Sequence, residues 1–333
     1  MRLRHPSGRI VHLSCEIAPR SAGDLPALVG RFDTYGKARA RLGADALGVN
    51  LWLPPTLAAA LAAESRARTR LRAELDARRL EVVTLSGAPF AEGGGETPGD
   101  GRGFSAPSGG PGAGSSTTPP CPSEDPPGWT DPARREYTLD LARILLDLLE
   151  QDAVRGAVST VGLGPRAGWT EPAERAAAGI LRRLSAGLAD LAWQNGRAVR
   201  VGFQPAAGYV LDSAEQTVAA LARTDRDRLG VCLDLGHAVR RWHDPAAGIE
   251  TITDAGLSII EVRLSAVPGS TTASWRAALR QLFGAEGPLT EYLTLLTRVP
   301  DPTAEQIAAD VAYLLAELAA LGLAPENEPC AAR

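Results

Sequence analysis

Short apolar runs alternate with longer stretches of helical period along most of this chain. Val11 to Ile17, Ala46 to Leu53, Leu80 to Leu85, Gly156 to Leu163, Ala198 to Phe203, Leu229 to His237, Leu257 to Leu264 and Glu291 to Thr297 read as strands. Nearly continuous apolar runs of this length suit strands buried on both faces of a parallel sheet. The segments between them repeat apolar residues every three or four positions, as Leu139, Ala142, Ile144, Leu145, Leu148 and Leu149 do, which predicts helices with one buried side. Pro54 and Pro55 open an Ala-rich helix to about Arg78, and Thr130-Asp131-Pro132, Thr170-Glu171-Pro172 and Asp244-Pro245 mark further helix starts. Gly196 ends the long helix that runs to about Asn195.

Eight strand and helix pairs in alternation imply right-handed crossovers and a parallel sheet, and eight is the number that closes into a (β/α)8 TIM barrel. The competing fold, an open doubly wound sheet, usually carries a Gly-rich phosphate loop after its first strand, and Ser14-Cys15-Glu16-Ile17-Ala18 has no glycine. Residues 1–324 are read as one barrel domain and 325–333 as a flexible tail. The segment 91–128, dominated by Gly, Pro, Ser and Thr, has too little apolar surface to offset its ordering entropy. It is expected to be a disordered insertion on the ligand face after strand three.

Composition narrows the function classes. A formal charge of −4 over 333 residues gives no basic surface for nucleic acid. Lys37, in the first helix, is the sole lysine, so no strand can supply the amine of a Schiff-base aldolase. Cys15, Cys121, Cys232 and Cys330 are scattered without a Cys-x-x-Cys pair, which indicates neither a structural zinc site nor a disulfide framework. The amino terminus lacks the apolar core of a signal peptide and no apolar stretch reaches the length of a membrane span, so a soluble cytoplasmic protein is expected.

Candidate chemistry begins at Asp234 and His237, which the apolar run from Leu229 delivers to its end. In a barrel that end faces the ligand. Asp-x-x-His suits magnesium, manganese or zinc, but two ligands are too few and the others must come from different strands. The competing reading is structural: His237 caps the next helix and Asp234 accepts backbone hydrogen bonds. Glu16, Asn50, Trp52, Gln204 and Arg263 are further polar or aromatic residues near strand ends, able to hold a polyol by hydrogen bonds with Trp52 as a stacking surface. Each has a plainer alternative, Trp52 as core and Arg263 as the ion-pair partner of Glu261 or Asp234 among them. Gly269-Ser270-Thr271-Thr272, ahead of Arg276 and Arg280, lies where barrels often hold phosphate.

Met1-Arg2-Leu3-Arg4-His5-Pro6-Ser7-Gly8 with Val11-His12-Leu13, Arg41-Leu42-Gly43-Ala44-Asp45, the run Leu71 to Arg78 leading into Leu80 to Leu85, and Trp129-Thr130-Asp131-Pro132-Ala133-Arg134 resemble the EboE metabolite traffic proteins. These are xylose isomerase-like barrels, and the resemblance implies a role with secondary-metabolite precursors in bacteria and descent from metal-dependent sugar isomerases and epimerases. The departures lie on the ligand face. Glu16-Ile17-Ala18-Pro19 stands where the family tends to have a histidine, Ser86-Gly87-Ala88-Pro89-Phe90 replaces Asn-Gly-Phe-Pro-Tyr-Gly, Gln204-Pro205-Ala206-Ala207 replaces Glu-Pro-Glu-Pro, and Leu293, Thr294 and Leu295 replace glutamates. Only Asp234 and His237 match the ligands that the resemblance implies.

The expectation is therefore a barrel that holds a polar sugar- or cyclitol-like metabolite, with a weakened or lost metal site at Asp234 and His237 and no cofactor. The contrasting expectation is a working isomerase or epimerase that keeps a divalent metal (Mn, Mg or Zn) and uses Glu16 or His237 as base. A third is an interaction scaffold whose insertion recruits other proteins of the same pathway.

Overall fold

In the computed structural model, which describes residues 1–17, 25–87, 128–265, 272–284, 286–297, 299 and 301–326, each expected apolar run contains a strand. The chain runs β1 (Arg2–Arg4), β2 (Ile10–Ile17), α1 (Leu25–Arg41), β3 (Leu47–Trp52), α2 (Pro55–Ala63), α3 (Ser65–Asp76), β4 (Leu80–Ser86) and α4 (Pro132–Leu148). It continues through β5 (Arg155–Val161), α5 (Glu171–Asn195), β6 (Ala198–Gln204), α6 (Ala214–Leu221), β7 (Leu229–Asp234), α7 (Leu235–Arg241) and α8 (Pro245–Asp254). The last elements are β8 (Ile259–Leu264), α9 (Ala273–Leu282), β9 (Tyr292–Leu295), α10 (Ala304–Ala319) and β10 (Ala324–Pro325).

Strands β2 to β9 lie side by side in chain order, all parallel, and β9 returns to pair with β2, Leu13 opposite Leu293. The result is a closed (β/α)8 barrel. The apolar faces of the helices pack on the outside of this ring, Phe32 and Tyr35 of α1, Leu145 of α4 and Leu184 of α5 being buried among them. Each large apolar side chain buried in this layer contributes roughly 1.5–3 kcal/mol. The helix starts read from sequence are capped: Asp131 accepts from the Ala133 N–H, Thr170 from Ala173, and Asp244 from Ala246 and Ala247. Gly196 closes α5 at φ 67°, a conformation glycine adopts without strain.

Three features differ from the sequence reading. The Ala-rich helix is two helices that meet at Glu64 (φ −118°, ψ 103°). A straight helix would carry Glu64 and Arg68 along the same stripe as the buried Leu57, Leu61, Leu71 and Leu75; the break turns them away. Arg68 then donates to the carbonyls of Leu61 and Ala62 at 2.6 and 2.8 Å, closing the end of α2. The stretch Leu229 to His237 is a strand only to Asp234. Its remainder begins α7, whose Leu235 and Ala238 are as buried as strand residues, so the apolar run gave no sign of the switch. A small antiparallel addition, β1 between β2 and β10, covers the outer edge of the first half of β2. Gly48 permits that crowding, because a Cβ there would lie 2.2 Å from the Leu13 carbonyl oxygen.

Residues 91–127 of the expected insertion, Gly269 to Thr271 of the expected phosphate loop and the tail beyond Glu326 lie outside the described residues. No helix among the described residues is long and apolar enough to cross a membrane.

Candidate functional site

Four polar side chains meet at the carboxyl end of the ring because each stands at the last or next-to-last position of its strand: Glu16 on β2, Gln204 on β6, Asp234 on β7 and Arg263 on β8. The guanidinium of Arg263 donates through Nη2 to Glu16 Oε2, forming a buried ion pair, and through Nη1 to Gln204 Oε1 at 3.2 Å. Gln204 in turn donates from Nε2 to Asp234 Oδ2 at 3.2 Å. Glu16 and Gln204 are not on strands adjacent to β8, so these bonds run across the inside of the barrel.

Beneath this mouth lies a second polar layer. Glu261, fully buried, accepts at Oε1 from Asn50 Nδ2 (3.1 Å) and from the Thr294 hydroxyl (2.6 Å). Asn50 also donates to Thr84 Oγ1 at 2.7 Å and accepts from the Ser86 hydroxyl at 2.7 Å, and Ser86 meets Ser159 at 3.0 Å. Ser14 reaches Thr294 at 3.0 Å. The layer thus ties together β2, β3, β4, β5, β8 and β9, and nearly all its polar atoms are satisfied, as buried polar atoms must be to avoid a desolvation cost of about 1–3 kcal/mol each. Two atoms are not: Glu261 Oε2 and Arg263 Nε are buried without a hydrogen-bond partner.

Electrostatics follow from burial and from these neighbours. Burial pushes the Glu261 carboxyl above its ordinary value, opposed by the charge of Arg263. Burial also works against the charge on Arg263, but the carboxylates of Glu16, Glu261 and Asp234 outweigh it and hold the guanidinium ionised more firmly than usual. The Cys232 thiol is driven well up, first by burial and then by Glu261, which leaves it a poor nucleophile.

The residues expected from sequence divide into three sets. Glu16, Gln204, Asp234 and Arg263 come together directly. Asn50 lies one layer deeper, engaged with Thr84, Ser86 and Glu261, and Trp52 is buried at the end of β3, 6% exposed. His237 takes a different direction: its backbone N–H is capped by Asp234 Oδ1 at 2.9 Å, and its imidazole Nε2 bonds the Asp212 carbonyl at 2.9 Å. A carbonyl only accepts, so Nε2 carries the proton, and with the Trp242 indole donating to the same oxygen at 2.8 Å the ring fixes the loop before α6.

Sequence reading missed Glu261 as a site residue, although its spacing of two from Arg263 in a strand placed both on one face. It also missed Asp212, for which an isolated loop carboxylate offers no signal. A separate cleft, lined by Arg31, Thr34, Tyr35, Asp301 and Pro302, sits between α1 and the start of α10. It shares a wall with the mouth, since the Tyr35 hydroxyl donates to the Glu16 carbonyl at 2.6 Å.

The mouth does not fit a divalent cation. Glu16 Oε2, Gln204 Oε1 and both oxygens of Asp234 already accept from N–H donors, and a guanidinium stands among them. Among the described residues, no three His, Cys, Asp or Glu side chains are grouped so as to hold a metal ion.

Comparison with known proteins agrees with the architecture. D-allulose 3-epimerase from Methylomonas sp. superposes with a TM-score of 0.58 over 94% of this chain and 99% of its own, at 13% identity. L-ribulose 3-epimerase gives 0.57 over 92% and 95% at 14% identity, and 3-keto-D-glucoside 4-epimerase from E. coli gives 0.54 over 91% and 98% at 12% identity. No curated protein sequence matches. The model of the xylose isomerase-like TIM barrel family matches residues 37–277, and the chain belongs to that family.

Proposed function

We propose that this barrel binds a polar sugar- or cyclitol-like metabolite in its mouth, as an EboE-type metabolite traffic protein of a bacterial secondary-metabolite pathway, working in the cytoplasm beside other proteins of that pathway and without a metal cofactor. One observation carries the reading: Glu16, Arg263, Gln204 and Asp234 form a continuous chain of donors and acceptors across the ring. Such a chain presents alternating hydrogen-bond partners on preorganised strands, which suits a ligand rich in hydroxyls. The ligand class is in keeping with the sugars named for the solved relatives.

Calorimetric titration with D-allulose, L-ribulose and myo-inositol tests it. At least one is expected to bind, with affinity about tenfold weaker in Gln204→Leu, the loss of one or two good polar contacts. No binding by any of the three, or binding indifferent to Gln204→Leu, would overturn it.

A second reading, a sugar isomerase or epimerase, is favoured by the position of Glu16. A carboxylate at the mouth, held by a guanidinium, is placed to take a proton from a carbon next to a ligand carbonyl. Incubation of the same sugars in deuterated water distinguishes the two: deuterium entering carbon, and no longer entering in Glu16→Gln, marks turnover, while unlabelled sugar marks binding alone.

A further inference from the structure

We infer that the guanidinium of Arg263 is the resident cation of this mouth and takes the place of a divalent ion. The inference rests on reading the mouth as the ligand site. The resemblance implies descent from metal-dependent enzymes, and the donors that this chain presents disagree with a metal site.

The oxygens that face one another across the mouth are the kind a hard cation seeks, two carboxylates and an amide carbonyl. Arg263 has claimed them. Its Nη2 holds Glu16 and its Nη1 holds Gln204 Oε1, while Asp234 gives one oxygen to the Gln204 amide and the other to the His237 N–H at the start of α7. A second cation entering here would meet a like charge at close range in a site screened little by water. Nor can Arg263 step aside. Its side chain is 3% exposed, and moving it would leave the Glu16 carboxylate buried and unpaired.

The same geometry gives the guanidinium something to do. Its Nε–H is buried and has no acceptor in the protein. The fixed positive charge, held at the mouth through Nη1 and Nη2, polarises a carbonyl or hydroxyl oxygen bound there as an ion would, by electrostatic attraction in place of coordination. Gln204 completes the substitution. A glutamate there would place a third carboxylate beside Asp234, whereas the neutral amide donates to Asp234 and accepts from Arg263, which suits a mouth already supplied with its cation.

Titration of the chelator-treated full chain with MnCl2 and ZnCl2, read by calorimetry, tests this. The wild-type protein is expected to show no stoichiometric binding. The double variant Arg263→His with Gln204→Glu removes the guanidinium, frees Glu16 and adds an imidazole and a carboxylate beside Asp234. It is expected to bind one Mn2+ per chain at least about a hundredfold more tightly than wild type. Wild-type protein that binds one Mn2+ with micromolar affinity, lost in Asp234→Ala, would overturn the inference, as would a double variant with native circular dichroism that gains no binding. The wild-type titration needs no variant and decides the matter alone if the double variant does not fold. Because the probe is the metal by itself, failure here is separate from failure of the sugars to bind.

Discussion

Glu16 and Arg263 form an ion pair between β2 and β8, 247 residues apart in sequence, with β9 between their strands. Their side chains are 11% and 3% exposed, so neither charge can be left to water when the other is removed.

Glu16→Met or Arg263→Met alone is therefore expected to cost about 3–5 kcal/mol, the usual penalty for an uncompensated buried charge. The double change to methionine should cost clearly less than the sum of the two, because it removes both charges and restores apolar volume. Urea denaturation of the four proteins measures the coupling, and strictly additive losses would mean that the pair does not act as a unit.

Asp234 has two separable tasks. Its Oδ1 caps α7 through the His237 N–H, and its Oδ2 receives the Gln204 amide. Asparagine keeps an oxygen for the cap but turns an N–H donor toward the Gln204 amide, so Asp234→Asn should lose the Gln204 contact while Asp234→Ala loses about 1 kcal/mol more from the cap. Both variants should weaken the proposed sugar binding. Equal melting temperatures for the two would show that the cap contributes nothing to stability.

Glu261 sets a slope on the alkaline side of the carboxylate range. Burial raises its pKa in the folded protein above the ordinary 4.5, so the folded state holds this proton more tightly than the unfolded chain. The associated stability is complete below about pH 4.5 and is lost as pH rises through the folded value. Glu261→Gln copies the protonated carboxyl and should gain stability relative to wild type as pH rises above 4.5. Chemical denaturation at several pH values checks the trend, and a constant difference between the two proteins would contradict it.

His12 acts in the opposite sense. Burial first, and positive neighbours such as Arg2 second, lower its pKa from 6.5 to about 4, and its ring stacks on Tyr292 with centroids 5.6 Å apart. A group held neutral in this way lends stability above 6.5 that is lost as pH falls through about 4. His12→Phe keeps the stack and removes the titration. Its acid-side loss should be smaller than that of wild type by up to about 3 kcal/mol, and unchanged acid sensitivity would place the cause elsewhere.

The ring was readable because its strands are buried on both faces, and long apolar runs such as Leu229 to Leu233 have no other easy use in a soluble chain. Helix starts were readable for a similar reason, since Asp131, Thr170 and Asp244 each precede a proline or acidic first turn and do accept the expected amides. The inward set was harder. Shifting a strand by one residue exchanges its two faces, and irregular register between Val49 and Asn50 and between Val231 and Cys232 defeats simple alternation.

The candidate site was legible as a set of residue types and not as a set of bonds. Gln204 and Arg263 stood out as polar groups near strand ends, yet nothing local could announce that one guanidinium would reach both Gln204 and Glu16. His237 shows the converse. Its spacing from Asp234 suggested shared ligation, but the switch from β7 to α7 after Asp234 turns that spacing into a helix cap and sends the imidazole to Asp212.

Ser14 on β2 and Thr294 on β9, 280 residues apart, touch only once the last strand has docked against the first. A chain still emerging from the ribosome would expose two unpaired strand edges, a state prone to association with other chains. Because Glu16 lies on the first strand of the ring and Arg263 on the seventh, the mouth is not assembled until most of the ring has been synthesised. The proposed ligand, if bound, would thus report the assembly of the mouth, and its addition to cells should rescue variants that are slow to reach it.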